Sequence, residues 1–249
     1  MLSPADLLKN ELLAKLREED RKRLIPHLNP YYLKAGDIIQ KAGDEVVDTW
    51  FPCEQSLAGF QVWVDDDNGS VEVAIIGREG AVGGIVSNGN VPAFATAQVR
   101  IGGLFLRVRT SALEHAKTES VALRHWFSRY SDCLIAQTFQ TAACNATHTI
   151  VQRTAKWLLA AAARTGSREF ALTHEQLAEM LGVGRTFVTR VARSLREEGI
   201  ISTRRGVFVI EDATALKNKS CNCSAMIDAH FDTVLHGIYT DQDGNRKYG

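Results

Sequence analysis

Residues 174–191 read HEQLAEMLGVGRTFVTRV and meet almost every positional demand of a helix-turn-helix. Leu177, Leu181, Val188 and Val191 recur at helical spacing and can pack two helices together. Ala178 falls where the helices would cross, a place that excludes a larger side chain. Gly182 falls in the tight turn, where a positive φ is wanted, and Val183 closes the inner side of that turn. Thr173 and Gln176 have the spacing of a capping box that starts the first helix. Arg185, Thr186, Thr189 and Arg190 are left on the outer face of the second helix, and these side chains suit base edges and phosphates. An ordinary helical hairpin explains one such match, not all of them together.

The residues that follow extend the pattern. The second helix runs to a glycine stop at Gly199. Two β-like runs, 200–203 and 207–210, flank Arg204, Arg205 and Gly206, which reads as a hairpin with a basic tip, the wing of a winged helix. Arg185, Arg190, Arg193, Arg196, Arg204 and Arg205 face only Glu197 and Glu198 across this stretch. The whole chain balances 29 Lys and Arg against 29 Asp and Glu. A neutral protein with one basic surface points to a polyanionic partner.

Other function classes find little support. No apolar run approaches the roughly 20 residues that cross a bilayer, so no membrane partner is expected. The N-terminus lacks a signal peptide's apolar core, and the chain is expected to be cytoplasmic. Residues 77–84 lack the lysine of a P-loop, no nucleophile elbow occurs, and no enzyme is expected. Five cysteines (Cys53, Cys133, Cys144, Cys221 and Cys223) are odd in number and irregular in spacing, unlike a secreted disulfide framework. Cys221 and Cys223, with His230 and His236 downstream, are a weak candidate for zinc ligation or a thiol switch. The plainer reading is two small residues in a docked tail. A seam Cys144 could instead meet its twin across a dimer.

The rest of the chain divides clearly. Residues 3–25 predict one surface amphipathic helix. Runs rich in β-branched and aromatic residues at 38–39, 49–51, 58–64, 71–76, 95–99 and 104–108, separated by Gly and Asp turns, predict a compact antiparallel barrel or roll. Ser111 and Glu114 suggest a capped helix with a break near 117–120. Residues 121–147 contain neither Gly nor Pro and predict one long helix. Along it Leu123, Phe127, Tyr130, Leu134, Thr138, Thr141, Asn145 and His148 step by three or four, a seam suited to a dimer. A helix over 150–164 and a strand over 170–172 lead into the helix-turn-helix. Residues 214–219 could be helical, 223–239 are amphipathic, and 241–249 are polar. The expected class is α+β, with a sensing domain and dimerisation helix (about 120–148) over 1–148 and a DNA-binding domain with its tail over 149–249.

This order of elements, with the 174–191 motif, resembles the cyclic-AMP receptor protein/FNR superfamily of bacterial transcription regulators over about residues 10–212. Residues 77–83, GREGAVG, resemble the glycine-bearing turn before that family's phosphate-binding cassette, and 140–153 look like a subgroup with an uncharacterised sensor. The resemblance implies a homodimer joined along the long helix, on a palindromic site with recognition helices about 34 Å apart, and RNA polymerase as a further partner. It places Arg185, Thr186, Thr189 and Arg190 at the bases. Thr186 stands where many members carry a glutamate, so the operator should differ. Phe187 could meet a thymine methyl or turn inward and pack, the favoured choice. Thr173, His174, Arg193, Arg204 and Arg205 are read as phosphate contacts.

The sensor cassette departs from the family. Residues 82–85 read VGGI without the usual glutamate, and Ala93, Phe94 and Ala95 stand where an arginine is expected. A buried phosphate without a cation is costly, so cyclic AMP is not expected by the usual contacts, and no cofactor is assigned. Arg78 and Arg100 could serve an anion, though nothing in the spacing places them. Gly83, Gly84, Ala93, Phe94, Ala95 and Thr138 mark the candidate effector pocket, which Phe94 could fill. His148, beside the hinge, could titrate or simply hydrogen-bond. The alternatives are a thiol- or metal-responsive regulator using Cys221 and Cys223, or a ligand-free constitutive DNA binder.

Overall fold

The computed structural model describes residues 4–65, 69–85, 91–204 and 206–236. The N-terminal segment is three short helices, α1 (Pro4–Leu7), α2 (Glu11–Ala14) and α3 (Glu18–Leu24), not the single surface helix that its leucines suggest. Asn10 is the reason. Its side chain accepts from Leu13 N at 3.0 Å, which starts α2, and donates to Pro52 O at 2.7 Å and Gly80 O at 2.9 Å. The chain is thereby held against the domain that follows, and Leu7, Leu12, Leu13 and Leu16 are buried there.

Among the described residues that domain is an antiparallel roll of eight strands: β1 (Asn29–Leu33), β2 (Ile38–Gln40), β3 (Asp48–Pro52), β4 (Leu57–Asp65), β5 (Gly69–Ile76), β6 (Val82–Gly83), β7 (Thr96–Ile101) and β8 (Gly103–Arg109). They form two four-stranded sheets, ordered β1-β8-β3-β6 and β2-β7-β4-β5. Ala58, Ile76, Val82, Ala97, Val99 and Phe105 pack together inside. The six expected strand runs are present. β1 escapes notice because its sequence, NPYYL, is mostly exposed and lacks alternation.

Two helices follow the roll. α4 (Thr110–Glu119) begins at Arg109 with no side-chain cap, so the expected Ser111–Glu114 box does not start it. Ser120 caps α5 (Val121–Thr147) by accepting from Leu123 N at 3.2 Å. Along its first half α5 lies against the roll and N-terminal helices. Trp126 Nε1 donates to Leu12 O at 3.1 Å, and the Tyr130 hydroxyl bonds Ala81 N and O at 2.9 and 3.2 Å. Gly80 must be glycine for that contact, since a Cβ there would stand 2.1 Å from the Tyr130 oxygen.

Thr149 and Gln152 form a capping box that opens α6 (Ile150–Thr165), which ends at the left-handed Gly166. β9 (Glu169–Ala171), α7 (His174–Leu181), α8 (Arg185–Glu197), β10 (Ile201–Arg204) and β11 (Val207–Ile210) complete the second domain, with a sheet ordered β10-β11-β9. Its core of Leu158, Phe170, Leu177, Val188, Leu195 and Phe208 also takes in Leu57 and Ile75 from the roll.

Polar contacts reinforce this junction. Trp157 Nε1 donates to Glu72 Oε1 at 2.9 Å, and the other Glu72 oxygen pairs with Arg100 Nε at 2.7 Å. Arg164 meets Glu79 at 2.8 Å. The chain closes with α9 (Ala213–Lys219) and α10 (Cys223–Leu235). α10 returns along α5: Phe231 packs edge-on to Tyr130, and Arg129 donates to Val234 O at 3.1 Å.

Candidate nucleic-acid interface

The capping box read from sequence starts α7. Thr173 Oγ1 accepts from Gln176 N at 3.1 Å, and Gln176 Oε1 accepts from Thr173 N at 2.8 Å. Gly182 ends the helix at φ 61°, which a side chain would strain, and Val183 N closes the turn on Ala178 O at 3.0 Å. A Cβ on Gly182 would also stand 3.1 Å from Val71, because the turn sits on β5. α8 leaves this turn with Val188, Val191, Ala192 and Leu195 buried.

The opposite face of α8 is exposed and carries Arg185, Thr186, Thr189, Arg190 and Arg193. Phe187 is on that face too, 48% exposed, with the Arg190 guanidinium 5.4 Å above its ring. The expectation that Phe187 packs inward is therefore corrected. Val188 and Val191 already fill the inner face, and the ring supports an arginine by a cation–π contact instead. Arg185 and Glu175 are 3.8 Å apart and both exposed, a contact worth about 0–1 kcal/mol that leaves the arginine available.

The wing is fixed to this helix. Arg196 Nη1 donates to Thr203 Oγ1 at 3.1 Å, and Leu172 N donates to Gly206 O at 2.8 Å. Thr173, His174, Arg185, Thr203 and Arg204 line a cleft between wing and helices. The His174 ring packs tilted against Phe208, centroids 5.3 Å apart, and its Nδ1 lies 3.1 Å from Thr189 Oγ1. Burial first, then Arg185 and Arg196, holds His174 below the ordinary imidazole pKa. Thr173 and Arg204 are exposed beside it, and Arg205 lies outside the described residues. Arg196 is the residue that sequence reasoning left without a role. Its helical position was plain, but its reach to Thr203 depends on the wing's register.

The dimer seam read from sequence is corrected in its first half. Leu123, Phe127 and Tyr130 are fully buried in the protomer's own core, and Leu134 is half-buried beside them. A three-and-four spacing marks one face of a helix without saying what covers it, and here the roll does. Thr138 and Asn145 are exposed, and Thr141 and His148 half-buried. In the second half of α5, Ile135 and Phe139 point outward, 50% and 71% exposed, continued by exposed Ala142 and Ala146. Cys144 is buried against Cys221, 3.7 Å between sulfurs, so it does not face a twin across an open seam.

Phe94 apart, the candidate effector residues are each held by local contacts. Gly83 and Gly84 press against Asp48 O and Thr110, where added Cβ atoms would stand at 2.2 and 2.6 Å. Ala93 is buried, its backbone paired with Asp44 O and Gly43 N. Phe94 is 84% exposed and does not fill the roll. Ala95 is half-buried on the same run, and Thr138 spends its hydroxyl on Leu134 O. Arg100 is buried and committed to Glu72, while Arg78 meets Glu11 at 2.8 Å in a solvent-exposed pair. Among the described residues, no helix is long and apolar enough to cross a membrane.

Comparison with known proteins agrees with this geometry. Residues 152–219 match the Crp-like helix-turn-helix domain. No curated protein sequence matches significantly. Solved structures do. FixK2 from Bradyrhizobium japonicum is 16% identical, with a TM-score of 0.64, covering 78% of this chain and 98% of its own. TTHB099, a CRP-family transcriptional regulator from Thermus thermophilus, is 20% identical with a TM-score of 0.63, covering 76% and 96%. TTHA1359, a CRP/FNR-family regulator from the same organism, is 19% identical with a TM-score of 0.58, covering 77% and 98%. The chain thus carries a Crp-like helix-turn-helix domain on the fold shared by Crp/Fnr-family transcriptional regulators.

Proposed function

We propose that this chain is a cytoplasmic, homodimeric transcription regulator that binds a palindromic DNA site. The observation that carries this is α8. One face is locked into the domain core, while the other presents Arg185, Thr186, Thr189 and Arg190 to solvent beside a basic wing. Arg185 and Arg190 suit guanine O6 and N7, and the outward Phe187 ring suits a thymine methyl. Thr189 reads a base edge only after exchanging its bond to His174. Thr173, His174, Arg193, Arg204 and Arg205 take the phosphates, fixing register without reading sequence.

The second copy of the chain covers the outward stripe of α5. Ile135, Phe139, Ala142 and Ala146 step by four, three and four, the spacing of a coiled-coil seam. The sensing domain with its helix ends near 148, and the DNA-binding domain begins at 149. Position of the operator relative to RNA polymerase then decides activation or repression. Ala93, Phe94 and Ala95 stand where an arginine would meet a cyclic phosphate, so the signal differs from cyclic AMP held by the usual contacts.

Titration of a labelled duplex over a salt series tests the reading. A dimer making about 6–10 phosphate contacts loses roughly 10³–10⁵ in affinity between about 50 and 200 mM salt. Affinity that stays flat over that range would show that the arginine face meets something other than nucleic acid.

A further inference from the structure

Cys144 and His148 lie four residues apart at the C-terminal end of α5, on one helix face. Cys221 and Cys223 bracket Asn222, the residue before α10. Folding brings these two segments together from opposite sides of the DNA-binding domain. The three sulfurs and one imidazole nitrogen all lie within 4.8 Å of one another. Cys144 Sγ is 3.7 Å from Cys221 Sγ, and Cys223 Sγ is 3.6 Å from His148 Nδ1.

These separations have a chemical meaning. Zinc bonds of about 2.3 Å to sulfur and about 2.0–2.1 Å to nitrogen, arranged tetrahedrally, put sulfur atoms about 3.8 Å apart and sulfur about 3.6 Å from nitrogen. Both contacts match those edges. The packing also argues against simple burial of small side chains. Cys53 is buried among Leu104, Leu106 and Phe51, as an inert thiol would be. Cys144, Cys221 and Cys223 instead form a buried cluster of their own.

We propose that Cys144, His148, Cys221 and Cys223 form a closed Cys₃His site for a thiophilic divalent ion, zinc by preference. Four protein ligands leave no open position, so the site is structural rather than catalytic. Binding releases three thiol protons to solvent, and affinity falls as pH falls. Three thiolates and one dication leave a single negative charge, which Lys156 faces from α6. Gln140, one turn before Cys144, donates to Cys223 Sγ at 3.2 Å and orients that ligand.

The site's position gives it a consequence, which rests on the proposed DNA-binding function. The winged helix is joined to α5 through 148–149 at its start. The metal ties its far end, residues 221–223, back to the same turn of α5. A domain anchored at both ends loses freedom to swing about the hinge, so metal content sets the arrangement of the recognition helices.

The full chain, purified under reducing conditions without chelator, provides the test. Elemental analysis should find about one zinc per protomer. Replacement by Co²⁺ should give the visible bands and thiolate charge transfer of a tetrahedral site. Cys221→Ser/Cys223→Ser should lose the ion, while Cys133→Ser, a buried thiol outside the cluster, keeps it. His148→Cys should retain the ion with stronger charge transfer, which separates ligand loss from misfolding. A wild-type chain that holds no zinc and gives no tetrahedral cobalt spectrum overturns the proposal. So does equal metal loss from Cys133→Ser. None of these readouts involves DNA, so failure here and failure of DNA binding are told apart.

Discussion

Replacing Glu72 by Gln tests how the roll is fastened to the winged-helix domain. Glu72 and Arg100 are 3% and 4% exposed at the side chain, and they meet at 2.7 Å. The second carboxylate oxygen takes the Trp157 indole proton from α6. Burial pushes the Glu72 carboxyl up, and Arg100, Trp157 and Lys156 pull it back. Arg100 Nη2 already lacks a partner, and Gln98 supplies one further bond at 2.8 Å. Removing the carboxylate charge therefore strands a buried guanidinium, at about 3–5 kcal/mol. For a chain of this size each kcal/mol moves Tm by about 2–4 °C, so Glu72→Gln should lower Tm by roughly 6–20 °C. The pair Glu72→Met/Arg100→Met removes both charges but leaves the Trp157 indole N–H without its acceptor, so it should lose only about 1–3 kcal/mol against wild type and melt above the single variant. Scanning calorimetry or thermal circular dichroism measures both. A Glu72→Gln protein that melts within about 2 °C of wild type would refute the argument. So would a double variant as unstable as the single.

Three further outcomes follow from the same geometry. Arg190→Ala should cost about 1–3 kcal/mol on the preferred duplex and relax preference at one base pair per half-site; a loss shared equally by all sequences, read in competition assays, would contradict a base contact. His174 sits below its ordinary pKa through burial and two arginines, and a bound phosphate reverses that charge balance. DNA binding then takes up a proton, and affinity rises as pH falls below about 6.5. His174→Gln should flatten that rise in anisotropy titrations. In the free protein the same depressed pKa means that His174's contribution to stability is complete above about pH 6.5 and is lost as pH falls through the folded value. Phe139→Glu places a charge on the outward stripe of α5 and should weaken the dimer by about 3–5 kcal/mol, seen as a monomer in sedimentation, whereas an unchanged dimer would move the interface elsewhere.

Local signals were legible and distant ones were not. Thr173, Gln176, Gly182 and the apolar pairs of α7 and α8 act over a few residues, so the helix-turn-helix could be read to the residue. Six of the roll's strands announced themselves by runs of β-branched and aromatic residues between turns; the exposed β1 and the two-residue β6, inside a glycine-bearing turn, did not. Helix α5 was visible for want of breakers, yet two of its faces carry apolar residues, and spacing alone could not tell which one the roll covers. The Glu72–Arg100–Trp157 contact joins residues up to 85 apart in sequence. Nothing around a glutamate on a strand or a tryptophan on an apolar helix marks them as partners. Cys221 and Cys223 drew notice, with His230 and His236 as the nearest downstream imidazoles. Their neighbours proved to be Cys144 and His148, brought in by the return of α10 along α5.

Selection of bound duplexes from a random pool tests the central claim most directly, with the whole chain and low salt. The account requires an enriched palindrome whose half-sites lie about 10–10.5 base pairs apart, with at least one guanine in each half-site that Arg190→Ala ceases to select. A pool that emerges without sequence preference, or with one unpaired half-site bound by a monomer, would contradict it.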